Sequence, residues 1–225
     1  MHCLQMDVSD KESISNAIKY IDQAEGKLDI LVNNAGIIGT PLDVLKGRDS
    51  PKDAKIGETA FTQDTFEDWG RVFRTNTAAP YFVTMGFVSL LEKGARARNG
   101  TSSVINISSV AATVKLSLVL LPREQSGRQP PHSTLRYAIR SAKHSYPRQH
   151  YFPGIFLSEV TAAAGLDINQ LGSQPAPGIF NPAPLLRIGR PSEIGTAATF
   201  LASDSGEFVN GQNLGIDGGI TLVNP

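Results

Sequence analysis

Apolar residues along this chain occur in two patterns. One has the spacing typical of helices, and the other consists of short continuous runs typical of buried strands. After Ser9-Asp10-Lys11-Glu12, which has the form of a capping box, apolar residues follow at helical spacing until Gly26 provides a stop. We predict an amphipathic helix here, whose apolar face is formed by Ile14, Ile18 and Ile21. Short apolar runs at residues 3 to 6 and 30 to 32 flank it, and they predict a parallel strand-helix-strand unit.

A second group of elements follows a stretch that shows no periodicity. Residues 39 to 64 are rich in Gly, Pro, Asp and Lys, which predicts a loop insertion. Thr65 is then placed to cap a helix, and the helical pattern resumes after Asn76. We expect the buried face of the first helix to consist of Phe66, Trp69, Val72 and Phe73.

The remaining pattern predicts two more strands and one more helix. Residues 103 to 107 form an apolar run that Asn106 interrupts, Pro191 opens a helical pattern, and residues 211 to 216 form a final strand. Residues 113 to 152 are expected to be irregular because prolines are interleaved there with Arg, Gln and Ser. Alternating strands and helices predict an α/β fold, with residues 1 to 225 forming a single domain.

Charge and composition narrow the classes of function. The chain has 21 Lys and Arg against 21 Asp and Glu, so no net field favours nucleic acid or an anionic membrane. Residues 116 to 121 are the longest apolar candidate for membrane insertion, and they are far too few to span a bilayer. The single cysteine, Cys3, cannot form an internal disulfide. The four histidines show no metal-ligand spacing. We therefore expect a cytoplasmic protein that acts on a small molecule and holds no metal.

The most informative segment is the apolar strand at residues 30 to 32 together with the four residues that follow it. Asn33 and Asn34 supply short amide side chains where this strand ends, and Ala35 and Gly36 leave room for a flat ring or a sugar to approach the backbone. Ligands of open α/β sheets bind beyond the carboxyl ends of the strands. The segment therefore predicts a nucleotide-binding crevice.

The same four residues resemble the Asn-Asn-Ala-Gly signature of the classical short-chain dehydrogenase/reductases. Further matches stand in the order of the family. Asp7-Val8 lies before this signature, and after it come Asn76, Ser108-Ser109, Pro153-Gly154-Ile155 and the segment 211 to 219. The resemblance implies a Rossmann-like, doubly wound parallel sheet in three α/β/α layers, with NADP or NAD as coenzyme. It also implies reversible interconversion of an alcohol and a carbonyl by hydride transfer, in the style of 3-oxoacyl-[acyl-carrier-protein] reductases, and a homo-oligomer.

The resemblance also assigns roles to individual residues. Tyr137 would be the acid/base, Ser109 a hydrogen-bond donor to the substrate oxygen, and Asn76 the holder of a proton-relay water. The positions that would line the coenzyme are Asp7, Val8, Asn33, Asn34, Ala35, Gly36, Pro153, Gly154 and Ile155.

Two departures from the family pattern bear on activity. The family's Tyr-x-x-x-Lys becomes Tyr137 with Lys143 six residues later, about 240° round a regular helix, while Arg140 could present a cation to roughly the same face. The first strands and glycine motif of the family have no counterpart in this sequence, which predicts an incomplete fold. Two interpretations therefore stay open, an active oxidoreductase and a catalytically inactive remnant or partner-binding scaffold.

Overall fold

A four-stranded parallel sheet forms the centre of the fold. The computed structural model describes residues 2–39, 61–63, 65–112, 148–163, 167–175 and 181–224. The strands lie side by side in the order in which they occur along the chain, and every neighbouring pair is parallel. They are β1 (Ile30–Asn33), β2 (Ser103–Ile107), β3 (Arg148–Pro153) and β4 (Gln212–Ile216). The predicted α/β class with a parallel sheet is confirmed.

Helices connect and cover these strands. They are α1 (Lys11–Glu25), α2 (Phe66–Phe73), α3 (Ala79–Arg98), α4 (Glu159–Ala163), α5 (Ile168–Ser173), α6 (Pro191–Ala202) and α7 (Ile220–Val223). A five-residue π-helix, Arg74–Ala78, joins α2 to α3. Short 3-10 turns occupy Val110–Ala112 and Asp204–Gly206.

The two faces of β2 carry separate cores. Val104 packs against α1 and α3 through Ile14, Val83 and Leu91. Ile105, the next residue, points to the opposite face and lies in a second cluster with Leu201 of α6. Since helices cover both faces, the described part of the chain has three layers.

Helix α1 begins one residue later than the capping-box pattern suggests. Its N-cap is Asp10 and not Ser9, because the Asp10 carboxylate accepts hydrogen bonds from the backbone N–H groups of Glu12 and Ser13. The Ser9 side chain instead donates to Asp7. The predicted stop is confirmed, since Gly26 adopts a left-handed conformation with φ of 68°.

Removing this cap provides a simple test of the α1 assignment. We expect Asp10→Ala to lower the free energy of unfolding by about 1 kcal/mol, because two backbone donors of the first turn lose their acceptor. Urea unfolding followed by circular dichroism measures the change. Ser9→Ala serves as the control, and an equal or larger loss there would place the cap at Ser9.

The strand expected at residues 3 to 6 does not form. These residues are irregular, and Leu4 is 43% exposed. The outer edge of β1 is not paired within the described residues, and Ile30 and Val32 are 38% and 46% exposed. A strand needs a ladder of backbone hydrogen bonds on at least one side, and residues 3 to 6 reach none. The reversal of strand order that defines a doubly wound sheet is therefore not among the described strands.

Two further expectations are corrected. Phe73 is 37% exposed and is not buried as expected. Phe66 is not part of the buried face of α2 either, because it is 95% exposed while Val72 is 1% exposed. Six residues at about 100° each turn these two side chains to different sides of the helix. The irregular segment is shorter than expected, since residues 148 to 152 belong to β3 and pair with both β2 and β4.

Candidate functional site

The four strands end at one edge of the sheet, because all of them run in the same direction. Asn33, Ile107, Pro153 and Ile216 are the last residues of β1, β2, β3 and β4. This edge is where ligands of open α/β sheets bind. We call it the carboxyl edge. The predicted coenzyme-binding and catalytic residues that the structure describes lie at the ends of these strands or just after them. The exceptions are Asp7, Val8 and Asn76.

The loop that leaves β1 is held by the side chain of Asn76. The backbone N–H of Ile37 donates to Asn76 Oδ1 over 2.9 Å, and Asn76 Nδ2 donates to the Ile37 carbonyl over 2.7 Å. Asn76 lies in the π-helix, a rare conformation that recurs at functional sites. Between β1 and this clamp, Asn34, Ala35 and Gly36 are exposed, so a ligand can reach them.

A buried cluster of polar side chains holds the other end of the same loop. Asn33 Nδ2 donates to Thr84 Oγ1 on α3 over 3.0 Å and to Asn106 Oδ1 on β2 over 2.8 Å. Thr84 and Asn106 are each 1% exposed. Neither residue was predicted to belong to the site, although Asn106 interrupts an otherwise apolar strand and that interruption is a usable signal.

Asp7 and Val8 lie in the turn before α1. Val8 packs against the core of α1 and α3, and the Asp7 Oδ1 atom accepts hydrogen bonds from the backbone and the hydroxyl of Ser9. These bonds, the hydroxyl first, hold the pKa of Asp7 below its ordinary value, so the side chain is a carboxylate acceptor at neutral pH. Lys11 sits 4.4 Å over the ring of Phe82, which brings the start of α1 beside the start of α3.

Ser109 lies just beyond β2, at the carboxyl edge. Its Oγ accepts a hydrogen bond from the backbone N–H of Ala111 over 3.1 Å, at the start of the 3-10 turn. Because Oγ is the acceptor in this bond, the hydroxyl proton takes no part in it. Ser108 donates its backbone N–H to the Tyr151 carbonyl of β3 over 2.8 Å, which fixes the exit of β2 against its neighbour.

Pro153, Gly154 and Ile155 form the exit of β3 and pack against the exit of β4. The Gly154 N–H donates to the Ile216 carbonyl over 3.0 Å. A Cβ atom at position 154 would lie 2.7 Å from the Cα of Asp217, so only glycine permits this approach. The Asp217 carboxylate accepts hydrogen bonds from Gly219 and Thr221, so its own side chain holds the turn at residues 217 to 219.

A cavity of about 230 Å³ opens beside this turn, lined in part by Ile155, Ile216, Asp217, Arg187 and Glu193. Ligand pockets commonly measure about 300 to 1,000 Å³. The cavity is therefore too small for a dinucleotide, and we assign no ligand to it.

Tyr137 and Lys143 lie outside the described residues, so their predicted catalytic roles stay predictions. In the part of the chain that the structure describes, no group of three or more His, Cys, Asp and Glu side chains could hold a metal ion. Among the described helices, none has the length and apolar character that crossing a membrane requires.

An ion pair that the sequence pattern did not reveal holds the start of α6. Arg187 donates to both carboxylate oxygens of Glu193, over 2.8 Å and 2.6 Å, and the Arg190 backbone N–H donates to the same carboxylate. The hydrogen bonds from Arg187 and then from Arg190 lower the pKa of Glu193 to about 2.

This shift makes a pH dependence testable. An ordinary glutamate titrates near ~4.3, so the Glu193 contribution to stability is complete above that pH and is lost as the pH falls toward about 2. We expect the difference in thermal midpoint between the wild type and Glu193→Gln to shrink steadily from pH 5 to pH 2. Glu25→Gln, at an exposed position of α1, is the matched control. A difference that does not change with pH would contradict the account.

Comparison with known families and proteins agrees with this arrangement. Residues 1–120 match the family model described as short chain dehydrogenase, and residues 173–221 match the model described as Enoyl-(Acyl carrier protein) reductase. The chain is 28% identical to the short-chain dehydrogenase/reductase VdtF of Byssochlamys spectabilis, covering 100% of this chain and 78% of that protein. It is 27% identical to the 3-oxoacyl-[acyl-carrier-protein] reductase FabG of Thermotoga maritima, covering 96% and 76%.

Solved structures share the fold. A gluconate 5-dehydrogenase from Burkholderia cenocepacia in complex with NADP and tartrate is 26% identical, with a TM-score of 0.69 over 96% of this chain and 74% of that one. A 3-ketoacyl-(acyl-carrier-protein) reductase from Brucella melitensis complexed with NADH has a TM-score of 0.72 at 20% identity, covering 96% and 76%.

Proposed function

This chain belongs to the short-chain dehydrogenase/reductase family, and we propose that it is an NAD(P)-dependent oxidoreductase that interconverts an alcohol and a carbonyl. The observation that carries the proposal is the anchored loop after β1. Asn33 and Asn76 fix its two ends, while Asn34, Ala35 and Gly36 stay exposed between them at the carboxyl edge. A rigid, accessible backbone with small side chains suits the flat rings and sugars of a dinucleotide.

The residues at this edge fit the ends of such a coenzyme. The side chains that hold the loop are three neutral amides and the hydroxyl of Thr84, and such groups suit a nucleoside better than a metal ion. Asp7 and Val8 would contact the adenine, the loop after β1 would lie along the adenosine, and Pro153, Gly154 and Ile155 would border the nicotinamide. When bound, a nicotinamide coenzyme supplies or accepts the hydride.

Proton transfer to the substrate oxygen falls to the side chains of the chain itself. The Ser109 hydroxyl accepts from Ala111, so its own proton is available to a substrate oxygen. Tyr137 would give or take the proton, which requires a cation that lowers a phenol pKa from its ordinary value near ~10. Lys143, or Arg140 in its place, would supply that charge.

A 3-oxoacyl group is the substrate class that we propose within this reaction. Support comes from the match to the Enoyl-(Acyl carrier protein) reductase model and from the similarity to the Thermotoga maritima enzyme. Other relatives of similar identity, such as 5-keto-D-gluconate 5-reductase of Escherichia coli, make sugar acids the class to compare directly.

The test is turnover by the purified chain. NADPH or NADH oxidation would be followed with a 3-oxoacyl thioester, 5-keto-gluconate and a set of small ketones. We expect saturable turnover, and a loss of about 10²- to 10⁴-fold in kcat for Tyr137→Phe, the range that general acid/base catalysis supplies. Tyr20→Phe, an exposed tyrosine of α1, is the matched control and should keep full activity.

Absence of turnover has two distinguishable meanings. Saturable coenzyme binding with a cooperative thermal melt, but no product, would support the catalytically inactive scaffold. No binding and no cooperative melt would support the remnant, since the outer edge of β1 is unpaired within the described residues and an unpaired edge favours aggregation. Either outcome overturns the proposed activity.

A further inference from the structure

Asn106 is a buried amide on a face of β2 whose other residue, Val104, is apolar. It is 1% exposed, and it lies opposite Asn33 in the register of β1 and β2. Val104, two residues earlier on the same face, packs into the core of α1 and α3. The Asn106 side chain therefore occupies a position at which the sheet pattern calls for an aliphatic residue.

Stability does not account for this amide. Asn106 Oδ1 accepts one hydrogen bond from Asn33, but Asn106 Nδ2 is buried and has no partner among the described residues. A buried donor without an acceptor destabilises the folded state, whereas an aliphatic side chain of similar volume does not. Residues that break a local rule in this way are concentrated at functional sites.

The one hydrogen bond that Asn106 makes acts on the loop at the carboxyl edge. Asn33 is the last residue of β1, and its amide is fixed by Asn106 from the sheet and by Thr84 from α3. Four residues after Asn33, the backbone N–H and carbonyl of Ile37 are both bonded to the side chain of Asn76. The exposed segment 34 to 36 is thus held at both ends, and Asn106 supplies the anchor that comes from inside the sheet.

We propose that Asn106 is a positioning residue, whose carboxamide fixes Asn33 and thereby preorganises the 34 to 36 segment for the coenzyme. This inference rests on the proposed function. A loop that is ordered before binding loses less conformational freedom on binding, so the anchor raises coenzyme affinity. The effect of Asn106 on affinity can be measured separately from its effect on folding. Removing the amide should lower coenzyme affinity without lowering stability, because its unpaired buried donor destabilises the fold.

The decisive variant is Asn106→Leu, which removes the anchor and the unpaired donor together. Three quantities are measured in the full chain: the thermal midpoint, the amide hydrogen exchange of residues 34 to 37 without ligand, and the Kd of NADPH and NADH by fluorescence titration. We expect an unchanged or higher midpoint, exchange in the loop about tenfold faster, and a Kd about tenfold higher for whichever coenzyme binds.

Ser103→Ala is the matched control, because Ser103 is also a buried polar residue of β2 but bonds to Leu201 on the opposite face. It should lower the midpoint and leave loop exchange and Kd unchanged. The proposal is overturned if Asn106→Leu does not fold, or if its midpoint falls while exchange and Kd stay constant, since both results indicate a purely structural role. If the wild type binds neither coenzyme, the proposed function fails, and loop exchange alone then decides whether Asn106 orders the segment.

Discussion

Replacing Gly94 by alanine is expected to destabilise the fold by at least about 3 kcal/mol, at the upper end of what overpacking costs. Gly94 lies in α3, where the helix crosses the residues that precede β1 and β2. A Cβ atom there would meet the Leu28 carbonyl group, with its carbon at 2.8 Å, and Ser102 Oγ at 2.9 Å. These neighbours cannot move freely, because Leu28 donates its N–H to α3 and Ser102 Oγ donates to the Leu91 carbonyl.

The measurement is chemical denaturation at equilibrium, compared with Gly195→Ala. Gly195 lies inside α6, and a Cβ atom at that position would have no neighbour within 4 Å. Alanine should therefore raise stability there by roughly 0.5 to 1 kcal/mol through helix propensity alone. If both variants change stability by the same amount and sign, the close approach of α3 to residues 28 and 102 is wrong.

Replacing Gly154 by valine is the second change with a large expected effect, and it acts on the site. The side chain would begin 2.7 Å from the Cα of Asp217 and 3.2 Å from its carbonyl oxygen, so the exit of β3 must separate from β4. Overpacking of this kind costs about 1 to 3 kcal/mol. Because Gly154 would border the nicotinamide, we also expect coenzyme affinity to fall at least about tenfold, or ~1.4 kcal/mol.

Gly215→Val supplies the matched control for this variant. Gly215 is in β4, two residues before Asp217, but a Cβ atom there would meet nothing within 4 Å. The control should therefore keep both stability and coenzyme affinity. Titration calorimetry with NADPH and NADH measures the affinities, and a loss shared by both variants would mean that the β3 exit has no special relation to the ligand.

The elements that could be predicted are those whose signals are local. Thr65 and Gly26 mark helix ends through their own backbone and side-chain chemistry, and both positions were predicted correctly. The apolar run of β1 ends in Asn33, as the pattern indicates, and Pro191 begins α6. In each case the residues that define the element lie within one turn or one strand of each other.

The predictions that failed depended on a distant partner. Residues 3 to 6 have strand-like composition, but no ladder of the described sheet accepts them. Residues 148 to 152 look irregular alone, yet β2 and β4 pair with them on both sides. The Asn33, Thr84 and Asn106 cluster was missed for the same reason, because its hydrogen bonds span 51 and 73 positions of the chain.

The central claim is that a nicotinamide coenzyme binds at the carboxyl edge, against the loop after β1. Hydrogen exchange of the full chain, with and without saturating NADPH or NADH, tests it most directly. We predict protection at residues 34 to 37, at Ser109 and the 3-10 turn that follows it, and at the exit of β3. Saturable binding that protects only other parts of the chain, or no binding of either coenzyme, would contradict the account.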